Sequence, residues 1–324
     1  AAQPAAQDLD ARRKADLTVP GAARRCPLAM LPPVIFSHGN SFPASTYRVM
    51  LDSLRNRGFD VDAVEKFGHD PKYPVTDNWP HLVQQLADFA QARADRAGAP
   101  VLLVGHSLGG FLSLMCAALH PALARGVVLL DSPLIGGWRA GTINLMKRTP
   151  LMKSVSPGMI SRKRRNTWEH REAVFEHFRS KKAFAKWDER VLRDYIEHGT
   201  FDLDDASDAG PPQGARAPAG GSEDTSVPSV GASSRALSFD RDVETAIYDT
   251  IPHNLGALLR AHPLKCRAAF VGGRQSVEMK RVGMAMTQQV TKGRIMMLDG
   301  THLFPMEKPI ATAAAVEAAL RNLL

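Results

Sequence analysis

No stretch of this chain approaches the roughly 18 consecutive apolar residues that a helix needs to cross a bilayer, so stable membrane insertion is not expected. Cysteine is scarce. The three present, Cys26, Cys116 and Cys266, are odd in number and far apart, which argues against a disulfide framework and offers no metal-ligand spacing. A reduced, cytoplasmic setting follows as the expectation. Residues 1–20 lack the apolar core of a secretory signal, and residues 1–30 read as a disordered tail. There is no internal repeat and no nucleic-acid-binding motif, so the formal charge of +8 reads as a solvated basic face and no nucleic-acid partner is expected.

What is present is enough for a core. Hydrophobic residues make up 44% of the 324. Short branched apolar runs near 33–37, 59–65, 100–104, 126–131, 267–272 and 293–298 read as strands. Helical patterning falls near 45–57, 79–97, 108–119, 278–290 and 309–323. This alternation predicts an α/β fold, a mostly parallel sheet flanked by helices. Residues 134–265 interrupt it. Segments 168–186 and 188–198 carry Trp168, Phe175, Phe178, Phe184, Trp187 and Tyr195 near helical spacing, beside the basic run Arg162–Arg165. Residues 204–238 are rich in Pro, Gly, Ser and Asp and read as a disordered loop. Apolar patterning resumes at Phe239, with one or two helices expected.

Three strand ends carry chemistry. The run Val101–Val104 leads into Gly105-His106-Ser107-Leu108-Gly109-Gly110 and then a helix. A strand, a turn too tight for side chains at its flanks, and a helix would thrust the Ser107 hydroxyl out as a nucleophile. The Leu108 N–H, at the helix start, would face a developing oxyanion. Upstream, Pro33–Phe36 ends in Ser37-His38-Gly39-Asn40, a turn that offers a second oxyanion N–H from Asn40, with His38 bracing the loop. Near the end, Ile295–Leu298 runs into Asp299-Gly300-Thr301-His302. A serine nucleophile needs a base of near-neutral pKa, and His302 has the residue type and chain position. His106, directly before the serine, would point away from it and serves structure.

On these motifs, over residues 31–134 and 266–323, the chain resembles the α/β-hydrolase superfamily, within it bacterial serine hydrolases with His-Gly-Asn, Gly-His-Ser-Leu-Gly-Gly and Gly-x-His-Leu-Phe-Pro-Met-Glu. The resemblance implies an α/β-hydrolase core at 31–133 and 266–324 with a mainly helical cap inserted at 134–265. It also implies a Ser–His–acid esterase that acts on a small-molecule ester or acyl substrate and needs no metal or organic cofactor. Other chemistry on the same scaffold stays open: carbon–carbon, thioester or amide cleavage, or acyl transfer. So does a non-catalytic binding protein. The superfamily commonly places its acid in a Gly-x-x-Asp pattern after the strand at 267–272, where this chain has Gln275 and Ser276. Two carboxylates remain. Glu278 is close to the expected position, and Asp131 ends the strand after the nucleophile.

Overall fold

The computed structural model describes residues 31–136, 158–203 and 234–324. Its strands, in chain order, are β1 (Val34–Ser37), β2 (Val61–Ala63), β3 (Val101–His106), β4 (Ala124–Leu130), β5 (Thr167–Trp168), β6 (Thr200–Asp202), β7 (Arg235–Leu237), β8 (Arg267–Gly273) and β9 (Ile295–Leu298). Six of them form one sheet in the order β2-β1-β3-β4-β8-β9, and every pairing in it is parallel. β1 and β3 are buried along their whole length, which is why they read as unbroken apolar runs.

One face of the sheet presents Ile35, Leu103, Val127, Leu129 and Phe270 to a core shared with helices Pro80–Ala97 and Leu108–Leu119. On the other face, helices Arg48–Arg55 and Pro309–Leu323 pack against each other, and Pro309–Leu323 lies along β4 and β8. Glycine at 126 admits this approach, since a Cβ there would stand 3.1 Å from Leu323. Helix Pro80–Ala97 starts with proline, which fits its first turn, and stops at Gly98, whose φ of +62° ends the helical run. Among the described residues, no helix is long and apolar enough to cross a membrane.

The segment between β4 and β8 holds helices Gly158–Arg162, Arg171–Arg179, Glu189–Gly199, Arg241–Asp249 and Leu255–Ala261. It also contains a small antiparallel sheet in the order β5-β7-β6 that the sequence did not announce, because strands of two or three residues leave no readable alternation. β7 falls inside the stretch expected to be disordered. Arg235 is buried there and donates to Thr200 Oγ1 at 3.0 Å and to Asp202 at 3.1 Å. The rest of that stretch, 204–233, lies outside the described residues, as does the tail 1–30. The expected helix 278–290 is two helices, Val277–Val282 and Ala285–Thr291, divided at Gly283 with φ +79°.

Candidate active site

The turn after β3 sets the site. Ser107 has φ +52° and ψ −114°, a backbone state side chains rarely adopt, and it joins β3 directly to helix Leu108–Leu119. The glycines around it are steric requirements. A Cβ on Gly105 would lie 2.1 Å from the Gly109 carbonyl oxygen, and one on Gly109 would lie 2.0 Å from that of Ser37. The turn is pinned by Ser107 N–H to Leu130 O (3.0 Å) and by the Ser132 hydroxyl to Ser107 O (2.9 Å).

Ser107 Oγ stands 3.0 Å from His302 Nε2, and His302 Nδ1 stands 2.7 Å from Asp131 Oδ2. An ionised carboxylate only accepts, so Nδ1 carries the proton and Nε2 is free to receive one from the serine hydroxyl. Asp131 is fully buried, at the end of β4, and its carboxylate accepts from the Gly273 N–H (2.8 Å) and the Ser276 hydroxyl (2.5 Å) as well. Glu278 Oε2 is 3.9 Å from the same Nδ1, and its side chain is 42% exposed. Of the two carboxylates that the sequence left open, Asp131 is in contact with the histidine and Glu278 is not. Ser276 occupies the place where an acid was looked for and donates to the acid that comes from the neighbouring strand.

The loop carrying His302 is tied down by Glu307, which accepts from the Thr301 N–H (3.0 Å) and hydroxyl (2.5 Å). The N–H groups of Asn40 and Leu108, both residues buried, have no partner among the described residues. They are the two donors the sequence motifs put forward.

Two histidines brace the frame, as expected, and a tyrosine joins them unannounced. His106 Nε2 meets the His302 carbonyl at 2.9 Å, so that nitrogen bears the proton. His106 Nδ1 then accepts from Tyr47 Oη (2.7 Å), and the phenol oxygen accepts from the Gly39 N–H (3.0 Å). One directional chain thus connects the turn at Gly39 to the backbone of His302. Burial pushes the His106 imidazole down to about 3. His38 donates from Nδ1 to Gly39 O (2.8 Å) and accepts the Phe67 N–H at Nε2 (2.9 Å), and burial lowers it to about 3 as well. No motif marked Tyr47; its phenol at the end of a buried stretch was the one available signal.

Among the described residues, the grouping with metal-ligand spacing is Asp131, Glu278 and His302, whose ligand atoms lie within 4.8 Å of one another. These are the groups already engaged around His302.

A parallel sheet with a serine elbow after its third strand and a histidine loop after its last defines a class of hydrolases. The profile of the alpha/beta hydrolase family matches residues 34–315, and the chain belongs to that family. Its relatives include the human monoglyceride lipase, 29% identical over 106 residues (32% of this chain, 35% of that protein). A monoglyceride lipase homolog of monkeypox virus is 25% identical over 128 residues (38% and 46%). The chain thus spans less than half the length of these relatives. Among solved structures, E-2-(acetamidomethylene)succinate hydrolase is similar with a TM-score of 0.63 at 18% identity, covering 90% of this chain and 91% of that one, a likeness of fold.

Proposed function

We propose that the protein is a serine hydrolase that cleaves carboxylic esters through an acyl-enzyme. The observation that carries this reading is the unbroken line from Ser107 Oγ through both nitrogens of His302 to the buried Asp131 carboxylate. Ser107 Oγ attacks the ester carbonyl carbon as its proton passes to His302 Nε2. The carbonyl oxygen takes up negative charge and is received by the Asn40 and Leu108 N–H groups, each such donor being worth about 3 kcal/mol of barrier. The tetrahedral intermediate collapses, the C–O bond to the alcohol breaks, and His302 returns the proton to the departing alkoxide. Water repeats the sequence on the acyl-enzyme: His302 takes its proton, the acid is released and Ser107 regains its hydrogen. Asp131 holds His302 in the reactive tautomer and stabilises the imidazolium.

The ester class is favoured by the family and by the monoglyceride lipase relatives, and the nucleophile suits it, since a serine cannot serve as the carboxylate of a dehalogenase. The segment between β4 and β8 reads as a cap over the site, and its aromatic residues as the wall that meets the acyl or alcohol part. The test is turnover of p-nitrophenyl esters from acetate to palmitate by the purified chain and by Ser107→Ala. The wild type should hydrolyse at least one of them, and the variant should lose nearly all of that rate, on the order of 10⁶-fold. Equal turnover by both proteins would overturn the assignment.

A further inference from the structure

Both flanks of the turn that offers the Asn40 N–H are held by the segment between β4 and β8. On one side, Asn40 Nδ2 donates to the Glu244 carbonyl at 3.0 Å, and the Ser41 hydroxyl donates to Glu244 Oε1 in a short bond. On the other side, the Phe42 ring packs on Phe184, Trp187 and Tyr195, with centroids 6.5, 5.4 and 5.7 Å away. The turn needs such support. Ser41 has φ +79°, a left-handed conformation that serine does not hold by itself.

Glu244 is built for the purpose. It is only 3% exposed, in helix Arg241–Asp249, and a carboxylate removed from water must be met by donors. It has three besides its backbone: Ser41, the Ser161 hydroxyl (2.9 Å) and Arg164 Nη1 (3.3 Å). Arg164, its side chain 14% exposed, reaches Tyr195 Oη at 3.4 Å, the same tyrosine whose ring touches Phe42. The two clamps therefore share one network, and within it Glu244 is hydrogen-bonded to both Asn40 and Ser41.

We propose that Glu244 is a positioning residue, which fixes the oxyanion turn Asn40–Ser41 from the segment between β4 and β8 and so makes the docking of that segment a condition for stabilising the transition state. The proposal rests on the reading of Ser107 as nucleophile but not on which substrate it attacks. A misplaced donor weakens the oxyanion interaction without changing how substrate binds in the ground state. Removing the Ser41–Glu244 bond should therefore lower kcat and leave KM in place.

The test is the rate at which a fluorophosphonate labels Ser107, measured beside ester kcat, KM and Tm. Three variants serve: Ser41→Ala, Glu244→Gln and Thr250→Val. Thr250 ends the same helix and accepts from Trp79 Nε1 (3.0 Å), so its variant loosens the segment without touching the turn. Ser41→Ala and Glu244→Gln should slow labelling and kcat by about 10- to 100-fold with KM within about twofold. Thr250→Val should lower Tm and label within about twofold of wild type. Labelling of Ser41→Ala at the wild-type rate would overturn the proposal whatever its Tm, and so would Thr250→Val slowing as much as Ser41→Ala. Wild-type protein that labels but turns over no ester would sink the ester reading and leave the positioning role to the labelling rates. Wild-type protein that does not label would sink both.

Discussion

At Asp131 three donors converge on one carboxylate: His302 Nδ1, the Ser276 hydroxyl and the Gly273 N–H. Burial raises the penalty for charge, and these donors offset it, so the group can face an imidazolium without solvent. Glu278, half in water and 3.9 Å away, shares only the Ser276 hydroxyl, at 3.4 Å. Asp131→Asn should therefore reduce kcat by roughly 10³- to 10⁴-fold, because the amide no longer demands the proton on Nδ1. Glu278→Gln should stay within about threefold of wild type, its charge being screened by solvent. Steady-state kinetics on one ester checks both, and a larger loss from Glu278→Gln than from Asp131→Asn would contradict the account. Sequence reading could bring the acid down to these two residues and no further. Asp131 and Ser276 are 145 positions apart, and only the pairing of β4 with β8 brings them together. Ser107 and His302 needed no such knowledge, since each sits at the end of its own strand in a recognisable turn.

The elbow is the element that most restricts the sequence. The Cβ positions of Gly105 and Gly109 are filled by main-chain atoms of the helix start and of the strand end at Ser37, which have nowhere to go. Gly105→Ala should destabilise the protein by about 3 kcal/mol or more. Gly98→Ala meets nothing within 4 Å and bears only the strain of its φ of +62°, about 1 kcal/mol. Chemical denaturation of the two variants compares them, and equal midpoints would show that the elbow is looser than described. The core strands and the helices Leu108–Leu119 and Pro309–Leu323 were legible because burial on both faces, or on one stripe, writes itself into the order of apolar residues. The sheet β5-β7-β6 was not. Its strands are too short for a pattern, and β7 begins with a buried Arg235, a residue whose type suggests solvent. Glu244 was hidden for a similar reason. A glutamate in a helix reads as an exposed charge until Arg164 and Ser41 are seen around it.

Across the whole molecule, three buried histidines make stability depend on pH. His38, His69 and His106 each use one ring nitrogen as an acceptor, from the Phe67 N–H, the Asp240 N–H and the Tyr47 hydroxyl. A second proton on any of them would break that bond. Burial accordingly lowers them to about 3, about 4 and about 3, while the unfolded chain takes up protons near 6.5. Between those values the unfolded state binds more protons than the native state, so stability falls as pH falls from about 6.5 toward 4. With nearly three protons involved, the slope near pH 5 is about 4 kcal/mol per pH unit, against little change from these groups above pH 7. Urea midpoints at pH 7.5, 6 and 5 should drop in step, whereas a flat profile would mean the histidines are not held neutral. The site embedded in this frame is the central claim, and trapping its covalent intermediate tests it most directly. The protein is mixed with a p-nitrophenyl ester that it turns over, quenched in acid within the first turnovers, digested and mapped by mass spectrometry. The account predicts one acyl group, carried on Ser107 and absent from Ser107→Ala. Released p-nitrophenol with no acyl group on Ser107, or with the group on another residue, would contradict it.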